Sequence, residues 1–292
     1  MLSRRIPWLA ASLVLSLACA SVRTDHARTV ATAGAASARA MDAVLVLAEE
    51  TAVDADSARA LSESGGLARD SRRQVLERHE GIIALVGDLE RLRRHTKLLG
   101  RYFDALHSLT ETEGDVRARE AAAQAASAAS DLGRELSGST LLTASDRDLL
   151  AKSAGLAARG AREAALSREL EAHGAAIEQE LALQQALLVA LRRSIRVDSA
   201  SLRELAAQRD VAAPFVNDAI ADARVWISNR RSVVLPPPAV ESLGNAADAA
   251  SRLRGAWAAL VSGRFDGTAW SAVLADAEDL LALAHSIRET RR

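Results

Sequence analysis

Between Ile82 and Leu106 the seam positions advance by threes and fours without a slip: Ile82, Leu85, Leu89, Leu92, Thr96, Leu99, Phe103 and Leu106. That spacing keeps one row of side chains on a single face of a long helix. Such a row is satisfied only by another helix lying alongside at a shallow angle. The rule returns in Ile177, Leu181, Gln184, Leu188, Leu191, Ile195, Asp198, Leu202 and Leu205, and again in Trp270, Val273, Ala277, Leu280, Ala284 and Ile287. No stretch alternates apolar and polar residues in the manner of a strand over six positions. Ala, Leu, Arg and Glu, all strong helix formers, abound while aromatics make up 3% of the chain. The expected class is all-α: an antiparallel multi-helix bundle with long heptad-patterned helices.

Turn and cap residues divide these rows into helices. The first is expected from Thr24 or Asp25, either a suitable N-cap, to about Ser64, with a stripe at Val30, Gly34, Ser37, Met41, Val44 and Ala48. Gly65-Gly66 breaks it, and the second helix covers roughly Leu67 to Thr110. Glu113-Gly114-Asp115 opens a third, alanine-rich helix to about Leu136. A fourth follows the caps of Thr143 to Asp146, with Ser153, Leu156, Gly160 and Ala164 inward, and passes through a bend near Gly174 into the fifth. Pro214 starts a sixth helix, to about Arg231, with an apolar face of Val216, Ile220, Ala223 and Ile227.

Pro236-Pro237-Pro238 reads as a stiff linker. Beyond it lie helices from Ala239 to Ser262, with Leu243, Ala250, Leu253, Trp257 and Leu260 inward, and from Thr268 to Arg288, joined by a turn at Gly263 to Gly267. Residues 24–235 form the expected main bundle and 236–292 a hairpin docked on its second and fifth helices, because two helices alone offer little core against their ordering entropy. Trp257 and Trp270 are expected at that junction. Trp226 is expected in the core as well, although the neighbouring Arg230-Arg231 leave open a partner or lipid-headgroup surface.

Four polar residues interrupt the rows and form a candidate buried polar seam: Arg78 and Thr96 in the second helix, Gln184 and Asp198 in the fifth. A polar residue at such a place fixes helix register at some cost in stability. Exposure at a bundle end is the other reading, best suited to Arg78 and Asp198, and a binding pocket is the third.

The chemistry of catalysis is not found. Ser62-Glu63-Ser64-Gly65-Gly66 has a nucleophile-elbow look, but no strand precedes it and a helix terminus explains it. No glycine-rich phosphate loop and no Glu-x-x-His pair occurs. Glu169 with His173, and His107 with Glu111, stand one turn apart as solvated i,i+4 pairs commonly do. We expect no catalytic residues, no metal site, no cofactor and no enzymatic activity. A formal net charge of −1 argues against a nucleic-acid partner.

The start of the chain has a different character. Arg4 and Arg5 precede the uncharged run Ile6 to Ala18, which ends in Leu15-Ser16-Leu17-Ala18-Cys19, and Cys19 is the only cysteine. A positive start, a short apolar stretch and a small residue before the cut compose an export signal. Those thirteen residues are too few for a membrane core that needs roughly 20. The run resembles the signal peptide and lipobox of bacterial lipoproteins, with Ser16 where Leu is commonest; secretion with cleavage elsewhere is the rival.

This resemblance covers residues 1–19 only, and the helical body resembles no family we recognise. It implies cleavage between Ala18 and Cys19, acylation of the Cys19 thiol including palmitate, loss of residues 1–18 and a short lipidated tether at 19–23. The membrane is then a partner through the lipid anchor at Cys19. Ala20 in place of an inner-membrane-retaining Asp points to the periplasmic face of the outer membrane of the cell envelope. A lone cysteine leaves no internal disulfide, so packing must hold the body together. The expected function is a non-catalytic structural or protein-interaction module with an envelope protein as partner. The alternative is a ligand-sensing or accessory subunit of an envelope transport system, with a cleft around Gln184.

Overall fold

The computed structural model describes residues 6–63, 71–111, 115–137, 162–217, 220–235, 238–265 and 270–289. Among the described residues the elements are helical and none is a strand, so the chain is an all-α multi-helix bundle. The helices are α1 (Ile6–Glu63), α2 (Ser71–Glu111), α3 (Asp115–Ser137) and α4 (Arg162–Ala206). A π-helical turn, Ala207–Ala212, leads into the one-turn α5 (Ala213–Val216). After it come α6 (Ala223–Val234), α7 (Pro238–Ser262) and α8 (Trp270–Glu289). Contacts gather the chain into two compact units, each built from parts of the long helices. The first takes Met1–Ala40, His95–Gln185 and Asp248–Ala282, and the second takes Met41–Arg94, Ala186–Ala247 and Leu283–Arg292.

In the first unit α1 is the central helix. Between Val30 and Ala40 only Thr32 and Arg39 are exposed, because Ala, Gly and Ser on every side let the neighbouring helices approach closely. The Arg23–Leu61 stretch is apolar and long enough to cross a membrane, yet 78% of its most apolar window is buried inside the protein. That is the signature of a core helix. α2 lies antiparallel to it: Arg28 donates to the Thr110 carbonyl at 3.3 Å, while Arg39 pairs with Asp104 at 3.1 Å and Ala38 faces Gly100. α3 adds a nearly pure alanine face of Ala118, Ala121, Ala122, Ala125 and Ala129, closed by Leu132. From α7, Trp257 enters fully buried and meets Tyr102 and Phe103 edge-on, at centroid distances of 6.1 and 5.8 Å.

In the second unit Arg93 of α2 bridges Asp42 and Glu49 of α1 at 3.0 and 3.6 Å. Leu188, Leu191 and Ile195 of α4 are buried there, as are Leu243 of α7 and Ile287 of α8. In the second unit the π turn, α5 and α6 contain no buried residue.

Several boundaries differ from expectation. α1 starts before Thr24, so Thr24 is a buried interior residue and not a cap, and residues 19–23 are helical, not a separate tether. On the α2 row Leu89, Thr96, Leu99, Phe103 and Leu106 are buried and Leu92 half-buried, whereas toward its start Ile82 is half-buried and Leu85 exposed. The expected fourth helix, with Ser153, Leu156 and Gly160, lies outside the described residues. α4 runs unbroken through Gly174, whose missing side chain makes room for Val261: a Cβ there would meet the Val261 methyls at 3.0 and 3.1 Å.

The expected sixth helix is two helices, parted between Val216 and Ala223. Asp222 caps the second by accepting from the Arg224 and Val225 amides at 2.7 and 3.4 Å. Its expected apolar face is exposed at Val216, Ile220, Ala223 and Ile227. Trp226 is half-buried, stacked on Phe215 at 5.9 Å, so its apolar partner belongs to the same segment and not to the core. Trp270 is also half-buried, stacked on His26 of α1 at 4.0 Å. α7 ends in a Schellman turn: Gly263 adopts φ 69°, and the Arg264 and Gly263 amides donate to the Ala259 and Leu260 carbonyls.

Candidate functional site

The described residues with the most unusual chemistry line one face of α4 in the first unit. Glu169 and His173 stand one turn apart, Glu180 and Gln184 another turn apart two turns further on, and all four are buried. Trp257 donates its indole N–H to the Gly174 carbonyl at 2.9 Å, which seats α7 against this face. Tyr102 of α2 is fully buried beside Glu169.

Burial governs the protonation of the group. It raises the Glu169 carboxyl to about 7, an effect opposed by the nearby Tyr102 hydroxyl. Burial likewise lifts Glu180 to about 7, against the Gln184 amide, which donates to its Oε1 at 3.3 Å. The Tyr102 phenol is pushed well above its usual value, by burial first and by the Glu169 charge second. Burial pulls His173 below its ordinary range, so the ring is held neutral, with Nε2 3.8 Å from Glu169 Oε1.

Glu169 Oε1, His173 Nδ1, Glu180 Oε2 and Gln184 Oε1 all lack a hydrogen-bond partner. A neutral carboxyl carries its own proton and donates, so protonation lowers the cost of this burial. The group is suited to holding protons in a closed core. Glu169 and His173 supply one oxygen and one nitrogen donor, but among the described residues no three His, Cys, Asp or Glu side chains converge as a metal would need.

The seam residues expected from the sequence part company here. Gln184 belongs to the buried group, and Thr96 is buried on α2. Arg78 and Asp198 are half-buried, and Asp198 accepts from Ser194 within its own helix. Glu169 and His173 are not the solvated pair that their spacing implied, whereas His107 and Glu111, 3.6 Å apart, do sit partly in solvent. A signal for His173 was present: the three-four alternation extends backward from Ile177 through His173, Leu170 and Leu166. Tyr102, beside the seam residue Phe103, and Glu180 carried no comparable mark.

Two clefts lie elsewhere among the described residues. In the second unit Ala58, Leu61, Leu202, Leu205 and Ala206, with Gln208 and Arg209 at the rim, line an apolar cleft of about 550 Å³. In the first unit a shallower one of about 410 Å³ runs between α2 and α3, with Arg101, Asp104, Gln124 and Asp131 along it. Comparison with protein-family models, with curated proteins and with solved structures finds no match for this chain.

Proposed function

We propose that this protein is an envelope lipoprotein, acylated at Cys19, whose helical body serves as a non-catalytic structural or protein-interaction module. The observation that carries the reading is the run from Arg4 to Cys19, with its basic start, uncharged stretch and lone cysteine. Cys19 and the export-signal-like run before it lie on the same unbroken helix, Ile6–Glu63, that becomes the buried centre of the first unit. A chain anchored there would join its lipid to the body through a helix and not through a flexible stalk. Several acyl chains are needed for stable anchoring, since one alone binds only marginally. Ala20 after the cysteine favours the outer membrane.

Burial of Gln184, which donates to Glu180, favours the module over the sensing alternative. The test is extraction of the protein from host membranes, followed by co-purification and by thermal shift against small molecules. The proposal expects an envelope protein recovered in stoichiometric amount and no small-molecule stabilisation. Stabilisation by a small molecule with no recovered partner would replace the module with a sensor.

A further inference from the structure

We infer that the π turn, α5 and α6, with Leu235 after them, form a docking surface for an anionic phospholipid surface. This segment inverts the usual order of an amphipathic helix in a folded protein. Val216 is 78% exposed, Phe215 66% and Val234 63%, with Val225, Ile227 and Leu235 more than half exposed as well. A 12-residue helix with no buried side chain has little reason to persist in water by itself.

What holds it is polar. Asp222 caps its start, and from α4 the Arg203 guanidinium donates to the Val233 carbonyl at 2.8 Å and the Val234 carbonyl at 3.2 Å at its end. Trp226 is pinned by its indole N–H, which donates to the Val211 carbonyl at 3.1 Å. The apolar side chains are therefore presented outward by a frame that does not use them.

The charge pattern identifies what covers them. α6 carries Arg224, Arg230 and Arg231 and no acid, and all three arginines are exposed. Of the acids described nearby, Asp222 accepts from the α6 amides as its cap and Asp210 pairs with Arg209. Arg230 lies over the Trp226 ring at 5.7 Å, which places a cation and an amphipathic aromatic side by side. Exposed aliphatics, an interfacial tryptophan and arginines able to extend to phosphates are what a helix lying in a headgroup layer needs. The apolar cleft at Leu61 and Leu202 continues this surface through Arg209, which belongs to both.

The inference does not depend on acylation of Cys19, and its test removes that cysteine. The full chain carrying Cys19→Ser and Val234→Cys takes an environment-sensitive nitrobenzoxadiazole label at residue 234. It is mixed with vesicles of phosphatidylcholine, with and without phosphatidylglycerol, built on brominated acyl chains. The expected result is a blue shift and bromine quenching with anionic vesicles only. Replacing the three arginines with Gln should weaken binding roughly a hundredfold. Val225→Ser with Ile227→Ser should keep the vesicle association and abolish the blue shift. The inference is overturned if the chain floats with vesicles while the label stays aqueous, or if neutral vesicles act equally well. A blue shift that grows with protein concentration without vesicles would overturn it too, by showing self-association.

Discussion

Gly34 of α1 lies directly against the ring of Phe103 of α2, so close that a Cβ at residue 34 would fall 2.4 Å from Phe103 Cδ2 and Cγ. The ring cannot swing aside freely, since Tyr102 and Trp257 stand edge-on against it. Small residues on α1 and one large aromatic on α2 thus fix how near the two helices come.

Gly34→Ala should therefore destabilise the protein by roughly 1–3 kcal/mol through overpacking, despite the better helix propensity of alanine. Gly81 and Gly87 have open space where a Cβ would stand. Alanine at either should stabilise by about 0.5–1 kcal/mol. Thermal or urea melts of the three variants check both signs, and a neutral Gly34→Ala would mean that α1 and α2 do not pack at this distance.

Stability should fall as pH rises through neutrality. The unfolded chain releases the protons of Glu169 and Glu180 near the ordinary 4.5, while the folded core holds them until about 7. Stability from these groups is therefore full below pH 4.5 and lost as pH climbs to 7, up to about 3 kcal/mol for each carboxyl. His173, lowered by burial, acts the other way and costs stability as pH drops below its ordinary 6.5. Glu169→Gln with Glu180→Gln should raise the Tm at pH 8 and flatten the profile between pH 5 and 8. Parallel profiles for the variant and the wild type would refute the burial of these carboxyls.

The α2 row makes a graded prediction. Leu99 is fully buried, so Leu99→Ala should cost roughly 2–5 kcal/mol through lost contacts and a cavity. Leu85, 41% exposed on the same row, should cost under about 1 kcal/mol. Equal costs in urea titrations would contradict the fading of the row toward its start.

The tryptophans should separate by solvent access. Trp257 is fully buried, while Trp226 and Trp270 are half-buried. Iodide should quench part of the fluorescence and leave a protected component that vanishes in Trp257→Phe. A fully quenchable wild type would place Trp257 outside the core.

The row from Leu89 to Leu106 was legible because strong apolar residues at regular spacing leave one consistent face. The third helix was legible for the same reason, its alanines recurring until Leu132. The central place of α1 was read only as a stripe: a helix small on all sides has little asymmetry, so spacing cannot reveal that every side is covered. Around Val216 and Ile227 the pattern indicated a helix correctly but not what covers its apolar side, since periodicity is blind to the partner. Glu169 and His173 were missed because charged residues one turn apart usually face water, and only the extended row through Leu170 and Ile177 marks them as interior.

The central claim is that Cys19 carries the lipid and begins the mature chain. Intact-mass and peptide mass spectrometry of the protein from host membranes tests it directly. The expected result is an amino-terminal Cys19 bearing acyl chains, with residues 1–18 gone, and no acylated form in the Cys19→Ser variant. A mature chain that retains Met1, or that starts at another residue with Cys19 unmodified, would contradict it.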